Sequence, residues 1–366
     1  MSSGKTVTLN TGHTIPQIGF GTLQAAAGVF EALRTGYRHL DLAKIYRNQR
    51  EVGEGIRRAL RDIPGLKRED IFITSKLWNN KHRPEDVAAA LDDTLAELQL
   101  EYLDLYLIHW PVAFKPGDEL SPKTSDGTQA ELNRNVSISE TWKAMTQLPK
   151  SKVRSVGVSN FSIELVSPPF LSTRPQEKRR EEKRGEGRSD VKRGREDGPL
   201  TSPLQLEGII QETGVVPAVN QIERHPRIPN LPLVEYCAKK HIVITAYSAF
   251  GNNPWGLPLL VNTPEVKAIA ERLSGAAGKT VTPAQVILAW SQLGGHTVIP
   301  KSANASRIRE NFQEVDLDDE AVRALEKLAE TPQRFNIPIT YEAKWDVNVF
   351  GDEKEKAATQ QVIIKL

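Results

Sequence analysis

Residues 36–53 read GYRHLDLAKIYRNQREVG. The pattern from Tyr37 to Leu40 predicts a short β-strand that ends on Asp41. Tyr46 follows in a loop, and a helix is expected to begin near Arg50. An acid and a phenol therefore lie where this strand stops.

Two later apolar runs also stop at a polar side chain. Residues 71–74 lead into Lys76, and residues 103–108 lead into His109. In a barrel of parallel strands all the carboxyl ends lie on one face, so these side chains are expected to meet. The residues predicted to converge are Asp41, Tyr46, Lys76 and His109.

Strand-like and helix-like patterns alternate along the rest of the chain. Apolar residues three or four apart predict helices at 51–61, 84–98, 139–146, 231–240, 264–273 and 283–293. Short β-rich runs predict strands at 18–21, 37–40, 71–74, 103–108, 153–158, 218–220, 242–246 and 297–299. Eight such strands imply a closed α/β fold, a (β/α)8 TIM barrel that forms one domain over residues 1–366. An N-terminal β-hairpin, residues 6–9 and 14–16, is expected to plug the lower mouth of the barrel.

The segment 166–205 departs from this alternation. It holds five Pro and ten Lys or Arg against seven Asp or Glu, with almost no apolar periodicity. Such a composition cannot bury enough surface to offset the entropy of ordering, so we predict a disordered, charged insertion. Excising it joins residues 162–165 to 206–210 as one amphipathic helix that ends near Gly214.

Two explanations of this segment stay open. One is a retained intron, because Val166-Ser167 can be encoded by a donor-like GTAAGT and Gln205 by an acceptor-like CAG. A mature transcript that keeps these codons would refute it. The other is a tail that binds nucleic acid or a partner, but interspersed charges with a single aromatic, Phe170, are typical of a solvated run.

Composition narrows the class of protein. Without the insertion the chain carries 38 basic and 39 acidic residues, which gives no electrostatic reason to expect nucleic acid. No apolar run approaches the ~20 residues that cross a bilayer. The single Cys237 cannot form an internal disulfide and fits a reducing compartment. We expect a cytoplasmic protein and a monomer, with no membrane contact and no metal site.

The four strand-end residues suggest proton transfer to a carbonyl oxygen. A phenol has a reference pKa of ~10, so it donates readily only where a cation stabilises the phenolate. Lys76 is the candidate cation, Asp41 would keep it charged, and His109 would orient the carbonyl. Each of these residues taken singly is more often a satisfied interior polar group or half of a structural ion pair. Their occurrence together on one rim favours catalysis.

Seven motifs resemble, in order, the signatures of the aldo-keto reductases. They are GYRHLDLAKIYRNQREVG, ITSKLW, DLYLIHWP, GVSNFS, VPAVNQIERHP, TAYSAFG and VIPKSANASRIREN. The resemblance implies a (β/α)8 barrel that binds an extended nicotinamide cofactor without a Gly-rich dinucleotide loop, and no G-x-G-x-x-G follows a strand here. Between Gly21 and Gly36 the chain is about six residues shorter than is usual in this family. Only residues 29–34 remain for the first outer helix, so the barrel wall there is expected to be thinly covered.

The resemblance also assigns roles. Tyr46 is implied to donate the proton, Lys76 and Asp41 to lower its pKa, and His109 to orient the substrate. Ser159, Asn160 and Gln221 would bind the carboxamide of nicotinamide, and Tyr247 would stack on its ring. The remaining cofactor positions are Thr22 and Leu23 at the ribose, Ser248, Phe250 and Asn252 at the pyrophosphate, Lys301, Ser302 and Arg307 at the 2′-phosphate, and Glu310 and Asn311 at adenine.

Two cations at the 2′-phosphate position favour NADPH over NADH. Aromatic residues after strands and in the tail predict an apolar substrate pocket: Trp78, Trp110, Phe114, Trp255 and Trp345. The predicted function is NADPH-dependent reduction of small aldehydes or ketones, as in fungal members of the glycerol dehydrogenase and aldehyde reductase type. The alternatives are a non-catalytic subunit that senses redox state through the cofactor and an inactive product of a misread gene.

Overall fold

The computed structural model of the chain describes residues 4–163, 205–251 and 258–364. Two strands form a small antiparallel sheet, and eight form one larger sheet in which every pairing is parallel. The strands are β1 Thr6–Thr8, β2 Thr14–Pro16, β3 Phe20–Gly21, β4 His39–Asp41, β5 Phe72–Leu77, β6 Leu103–Ile108, β7 Val153–Ser159, β8 Val219–Glu223, β9 Val243–Tyr247 and β10 Thr297–Val298.

The larger sheet runs in sequence order from β3 to β10, and its two edges meet. Ile18 forms a parallel bridge with Val298. Backbone hydrogen bonds join the same edges, from the Val298 N–H to the Gln17 carbonyl (2.7 Å) and from the Gly21 N–H to the Pro300 carbonyl (3.0 Å). The predicted (β/α)8 barrel is therefore confirmed.

Helices cover the outside of the barrel. Local sequence signals fix where several of them begin: Ser137 and Glu140 form a capping box at α4, and Thr282 and Gln285 form one at α8. The helices are α1 Val29–Thr35, α2 Gln49–Asp62, α3 Pro84–Leu98, α4 Ile138–Thr146, α5 Gln205–Thr213, α6 Leu231–Lys239, α7 Pro264–Ala277, α8 Pro283–Gln292, α9 Ala305–Asn311 and α10 Asp319–Glu326.

The short first helix does cover its part of the barrel wall. A 3-10 turn, Ala26–Gly28, leads directly into α1, and the side chains of Val29, Ala32 and Leu33 are buried. The thin coverage expected at this position is not found, because the turn and the helix together bury a continuous apolar face.

The N-terminal hairpin lies at the amino ends of the barrel strands. Strands β1 and β2 pair in the register Val7 with Ile15. The buried side chains of Leu9 and Ile15 pack in one apolar cluster with Phe72 and Val219, which begin β5 and β8. The hairpin therefore closes the end of the barrel opposite the predicted site, as its position in the sequence predicts.

The residues on either side of the predicted insertion lie together. The Ser162 N–H donates to the Gln205 side-chain oxygen (3.1 Å), and the Leu206 N–H donates to the Ser162 carbonyl (3.5 Å). Gln205 also donates to the Val349 carbonyl (2.7 Å) and is buried. The predicted boundary at Gln205 is therefore wrong by one residue, since Gln205 begins α5; the disorder predicted for 166–204 lies outside the described residues.

We expect a chain that lacks residues 165–204 to fold with a melting temperature at least equal to that of the full chain. Ser162, two linking residues and Gln205 would then form the first turn of α5 without a long excursion. Circular dichroism of both chains measures this. As a positive control, Gln205→Ala in the shortened chain should lower the free energy of unfolding by about 1–2 kcal/mol, since its side chain bonds two buried backbone groups. A shortened chain that melts earlier would contradict the expectation.

Candidate active site

A buried ion pair lies at the carboxyl ends of β4 and β5. Lys76 Nζ is 2.5 Å from Asp41 Oδ1 and donates a second hydrogen bond to the Leu42 carbonyl (2.7 Å). The other carboxylate oxygen, Oδ2, accepts from Gln221 Nε2 at 2.7 Å. The side chains of Lys76 and Asp41 are 0% and 1% exposed. Both charges are therefore paired and hydrogen-bonded, which a buried ion pair requires.

Burial and charge act in opposite directions on Lys76. Loss of hydration lowers the pKa of the ammonium, and the carboxylate of Asp41 only partly restores it. Because the ammonium and the carboxylate are in contact, the field that the pair exerts at a distance is close to that of a dipole rather than that of a lone cation.

Tyr46 lies at the end of a 3-10 turn, Lys44–Tyr46, that follows β4. Its ring centroid is 5.3 Å from Lys76 Nζ. Asn48 holds the following chain in place by donating to the Thr22 carbonyl (2.8 Å). Burial raises the pKa of Tyr46, and the charge of Asp41 raises it further. The pKa of Tyr46 is thus raised, whereas the family resemblance implies that it is lowered, and burial of the phenol is the larger cause.

His109 follows β6 and faces Tyr46 edge to face, with ring centroids 6.1 Å apart. Burial lowers the pKa of His109 well below its ordinary value, and Lys76 and His82 add to this effect. The imidazole is therefore neutral near pH 7 and can donate one hydrogen bond. Asn160 Nδ2 donates to the His109 carbonyl (2.9 Å), which ties the backbone after β6 to the backbone after β7.

A hydrogen-bonded group lies across the barrel mouth from Tyr46. Asn160 adopts a left-handed backbone conformation with φ +65°, which Asn tolerates better than most residues. Its side-chain oxygen accepts from the Tyr247 hydroxyl (2.6 Å), and its Nδ2 donates to Ser159 Oγ (3.2 Å). Ser159 Oγ donates to the Gln221 carbonyl (2.8 Å). The ends of β7, β8 and β9 thus present amide and hydroxyl groups that are held in place by hydrogen bonds within the protein.

These residues line one cavity of about 620 Å³ at the carboxyl face of the barrel. Fifteen of the predicted site residues line it: Thr22, Leu23, Asp41, Tyr46, Trp78, His109, Trp110, Ser159, Asn160, Gln221, Tyr247, Ser248, Phe250, Lys301 and Trp345. Lys76 is buried behind Asp41. Ser302, Arg307, Glu310 and Asn311 are not among the lining residues. Asn252 and Trp255 fall outside the described residues.

Two cations follow strand β10 in the sequence, and one of them lines the cavity. Lys301 lines the cavity and is exposed, and Arg307 is exposed in α9. Neither side chain forms an ion pair with any residue that the structure describes. Unpaired cations beside a cavity are suited to a phosphate.

The opposite end of the cavity is aromatic. Trp78 and Trp110 line it together with Trp345 and Tyr341 from the C-terminal segment. Trp345 packs edge to face on Trp110 with ring centroids 5.3 Å apart. Phe114, which the sequence placed in the pocket wall, does not line the cavity; it packs behind Trp345, with ring centroids 4.8 Å apart.

Several lining residues from distant segments are not among those that the sequence predicts. Asn336 and Tyr341 come from the irregular chain after α10, and Leu259 comes from the loop before α7.

Among the described residues no cluster of His, Cys, Asp or Glu is arranged to hold a metal ion. None of the helices in the described ranges is both long and apolar enough to span a bilayer.

Comparison with known proteins gives consistent matches. Residues 19–168 and 202–330 match the model of the Aldo/keto reductase family. The chain is 65% identical to a D/L-glyceraldehyde reductase of Hypocrea jecorina over 371 aligned residues that cover 100% of both chains. It is 35% identical to a glycerol 2-dehydrogenase (NADP(+)) of the same fungus, covering 89% of this chain and 92% of that protein. An aldose reductase structure from Schistosoma japonicum superposes with a TM-score of 0.73 at 37% identity, covering 92% of this chain and 95% of that one.

The substitution Asp41→Asn is expected to lower the free energy of unfolding by about 3–5 kcal/mol, because it leaves the buried Lys76 ammonium without its counter-charge. Urea unfolding followed by tryptophan fluorescence measures the change. Asp92→Asn is the matched control, since it removes the carboxylate of an exposed pair with Lys152; it should unfold like the parent chain. Equal unfolding midpoints for the two variants would mean that Asp41 does not compensate Lys76.

Proposed function

Because the chain belongs to the aldo/keto reductase family, we propose that it reduces small aldehydes and ketones to alcohols with NADPH, and that Asp41, Tyr46, Lys76 and His109 carry out the proton transfer. The observation that carries the proposal is the placement of the Tyr46 ring at the cavity between the Lys76–Asp41 pair and the His109 imidazole. Ordinary packing does not require a phenol, an ion pair and an imidazole at one cavity.

The residues of the cavity fit a nicotinamide dinucleotide. The fixed amide and hydroxyl groups of Ser159, Asn160 and Gln221 are suited to a carboxamide, and the unpaired Lys301 and Arg307 are suited to a phosphate on the adenosine ribose. NADPH, when bound, supplies the hydride. A phosphate at the adenosine 2′ position distinguishes NADPH from NADH, so these two cations favour the phosphorylated cofactor.

The chain itself would supply the proton and the orientation. A substrate carbonyl oxygen placed between Tyr46 and His109 accepts a hydrogen bond from each of them. As negative charge develops on that oxygen, the Tyr46 O–H gives up its proton and becomes a phenolate. Lys76, whose ammonium is 5.3 Å from the ring centroid, stabilises the phenolate more than it stabilises the neutral phenol. The paired Asp41 keeps that ammonium charged and fixed in the absence of water.

For the substrate we propose a small hydroxylated aldehyde such as glyceraldehyde. The support is the 65% identity with the D/L-glyceraldehyde reductase over the whole of both chains. The tryptophans at the aromatic end of the cavity are suited to the CH groups of such a substrate, and Tyr46 and His109 to its carbonyl oxygen. NADPH oxidation across a panel of aldehydes, ketones and polyols tests this choice, and a strong preference for a bulky apolar aldehyde would reject it.

We also propose that the protein is a monomer and that it is located in the cytoplasm. The buried Cys237 is compatible with a reducing compartment. In the described part of the chain, four large apolar side chains are more than a third exposed: Leu23, Val215, Leu231 and Leu293. They belong to separate elements and so do not suggest an apolar interface. Light scattering of the purified protein decides the mass in solution, and fluorescence microscopy of a tagged chain decides the compartment.

Replacing Tyr46 by Phe should lower kcat for aldehyde reduction by roughly 10²–10⁴-fold, because it removes the proton donor and leaves the ring. The Kd for NADPH should change little, which a fluorescence titration measures. Tyr236→Phe is the matched control: this tyrosine bonds Glu207 at the protein surface and should keep full activity. Near-normal turnover by the Tyr46 variant would remove Tyr46 from the proposed mechanism.

The double substitution Lys301→Ala with Arg307→Ala should raise the Kd for NADPH by roughly 10–100-fold, because charge-assisted contacts with a phosphate are lost. The Kd for NADH should stay the same, since NADH lacks that phosphate. Lys279→Ala, which removes an exposed cation after α7, serves as the control. An equal loss of affinity for NADPH and NADH would mean that the two cations do not bind the 2′-phosphate.

A further inference from the structure

A second buried carboxylate, Glu223, ends strand β8 and has no part in the proton transfer. Its side chain is 1% exposed. Oxygen Oε1 accepts from the Phe335 N–H (2.7 Å) and lies 3.0 Å from His225 Nε2. Oxygen Oε2 accepts from both the backbone N–H and the side-chain Nδ2 of Asn336, each at 2.8 Å. Glu223 thus binds the C-terminal segment to the barrel from more than a hundred residues away in sequence.

The electrostatics agree with a permanently ionised carboxylate. Burial acts to raise the pKa of Glu223, but the hydrogen bond and charge of His225, the charge of Arg334 and the Phe335 N–H outweigh it, and the pKa is lowered. Because an ionised carboxylate only accepts hydrogen bonds, His225 carries its hydrogen on Nε2. Each of the four hydrogen bonds described for the two oxygens is therefore received from a donor.

The two residues that Glu223 holds contact the loop after β9. Asn336 Nδ2 is within 3.4 Å of Ser248 Oγ. The Phe335 ring lies so close to Gly251 that a Cβ at that glycine would be 2.8 Å from the ring. Ser248 and Gly251 both adopt left-handed backbone conformations, with φ +49° and φ +83°. This loop lines the cavity at the position proposed for the cofactor pyrophosphate.

We propose that Glu223 is a positioning residue for cofactor binding: it fixes Phe335 and Asn336, which in turn hold the loop Ser248–Gly251 in the shape that receives the pyrophosphate. The inference rests on the proposed function. Glu223 is not a lining residue of the cavity, but the side chain that it holds, Asn336 of the C-terminal segment, is one. The same segment supplies Tyr341 and Trp345 to the substrate end, so one carboxylate connects both ends of the cavity.

The chain contains a matched control for this carboxylate. Glu355, in the 3-10 turn Glu353–Ala357, is 0% exposed and accepts from the backbone N–H groups of Val349, Phe350 and Asp352. It therefore orders the same C-terminal segment by the same kind of contact. None of these hydrogen bonds involves the loop Ser248–Gly251.

The experiment compares Glu223→Gln with Glu355→Gln by two measurements. Without cofactor, amide hydrogen exchange in residues 248–251 should become about tenfold faster in Glu223→Gln only, since an acceptor of several N–H groups is weakened. In fluorescence titrations the Kd for NADPH should rise about tenfold in Glu223→Gln, while kcat at saturating NADPH stays within about twofold. Glu355→Gln should lower the melting temperature without changing either quantity. Asn336→Ala, which keeps Glu223, should reproduce part of the effect and covers the case in which Glu223→Gln does not fold.

The outcomes separate this inference from the proposed function. Unchanged exchange in residues 248–251 in both Glu223→Gln and Asn336→Ala would overturn the coupling, whatever the parent chain binds. Equal changes in the Glu355 variant would overturn it too, since a general loosening of the segment would then explain them. A parent chain that neither binds nor oxidises NADPH would overturn the proposed function, and the role in cofactor binding with it.

Discussion

The contact between the Lys76 ammonium and the Asp41 carboxylate is the interaction on which the rest of the site depends. Burying two opposite charges away from water is strongly unfavourable unless both groups also form further hydrogen bonds. Here Gln221 donates to the Asp41 carboxylate, and the Leu42 carbonyl accepts from the Lys76 ammonium. This requirement fixes the relative position of β4, β5 and β8, because each contributes one member. It also sets the electrostatics of Tyr46. The phenol lies beside a pair whose charges largely cancel, and in the proposed mechanism the Lys76 ammonium would stabilise the phenolate more than the neutral phenol.

Buried carboxylates surrounded by hydrogen-bond donors also occur outside the proposed catalytic group. Asp41 joins β4 to the neighbouring β5 through Lys76 and, across the barrel, to β8 through Gln221. Glu223 joins the barrel to the C-terminal segment, and Glu355 folds that segment on itself. Irregular chain lacks the repeating hydrogen bonds of a helix or a sheet, so its backbone N–H groups need other acceptors. One carboxylate can accept hydrogen bonds from several N–H groups at once. It can therefore hold an irregular segment of the cavity wall in a single conformation, as the sheet hydrogen bonds hold the barrel.

The sequence predicted what depends on local pattern. Periods of two and of three to four residues located the strands and helices, and a polar residue after an apolar run located Asp41, Lys76 and His109. It could not place Asn336 or Tyr341, because the segment after residue 331 has no period and is positioned by long-range bonds to Glu223. It placed Phe114 in the pocket wall, whereas Trp345 covers it. The family resemblance implied a lowered pKa for Tyr46, but the pKa is raised, because burial of the phenol and the nearby charge of Asp41 depend on three-dimensional contacts.

The seam where β3 meets β10 has one further consequence. Short strands close the barrel there, with the bridge between Ile18 and Val298 and a few backbone hydrogen bonds. Both sides of that seam, Gly21 and Thr22 on one and Ile299 and Pro300 on the other, line the cavity. A molecule bound across both sides would stabilise this join of the barrel. Occupancy of the cavity and resistance to heat would thereby be linked through mass action.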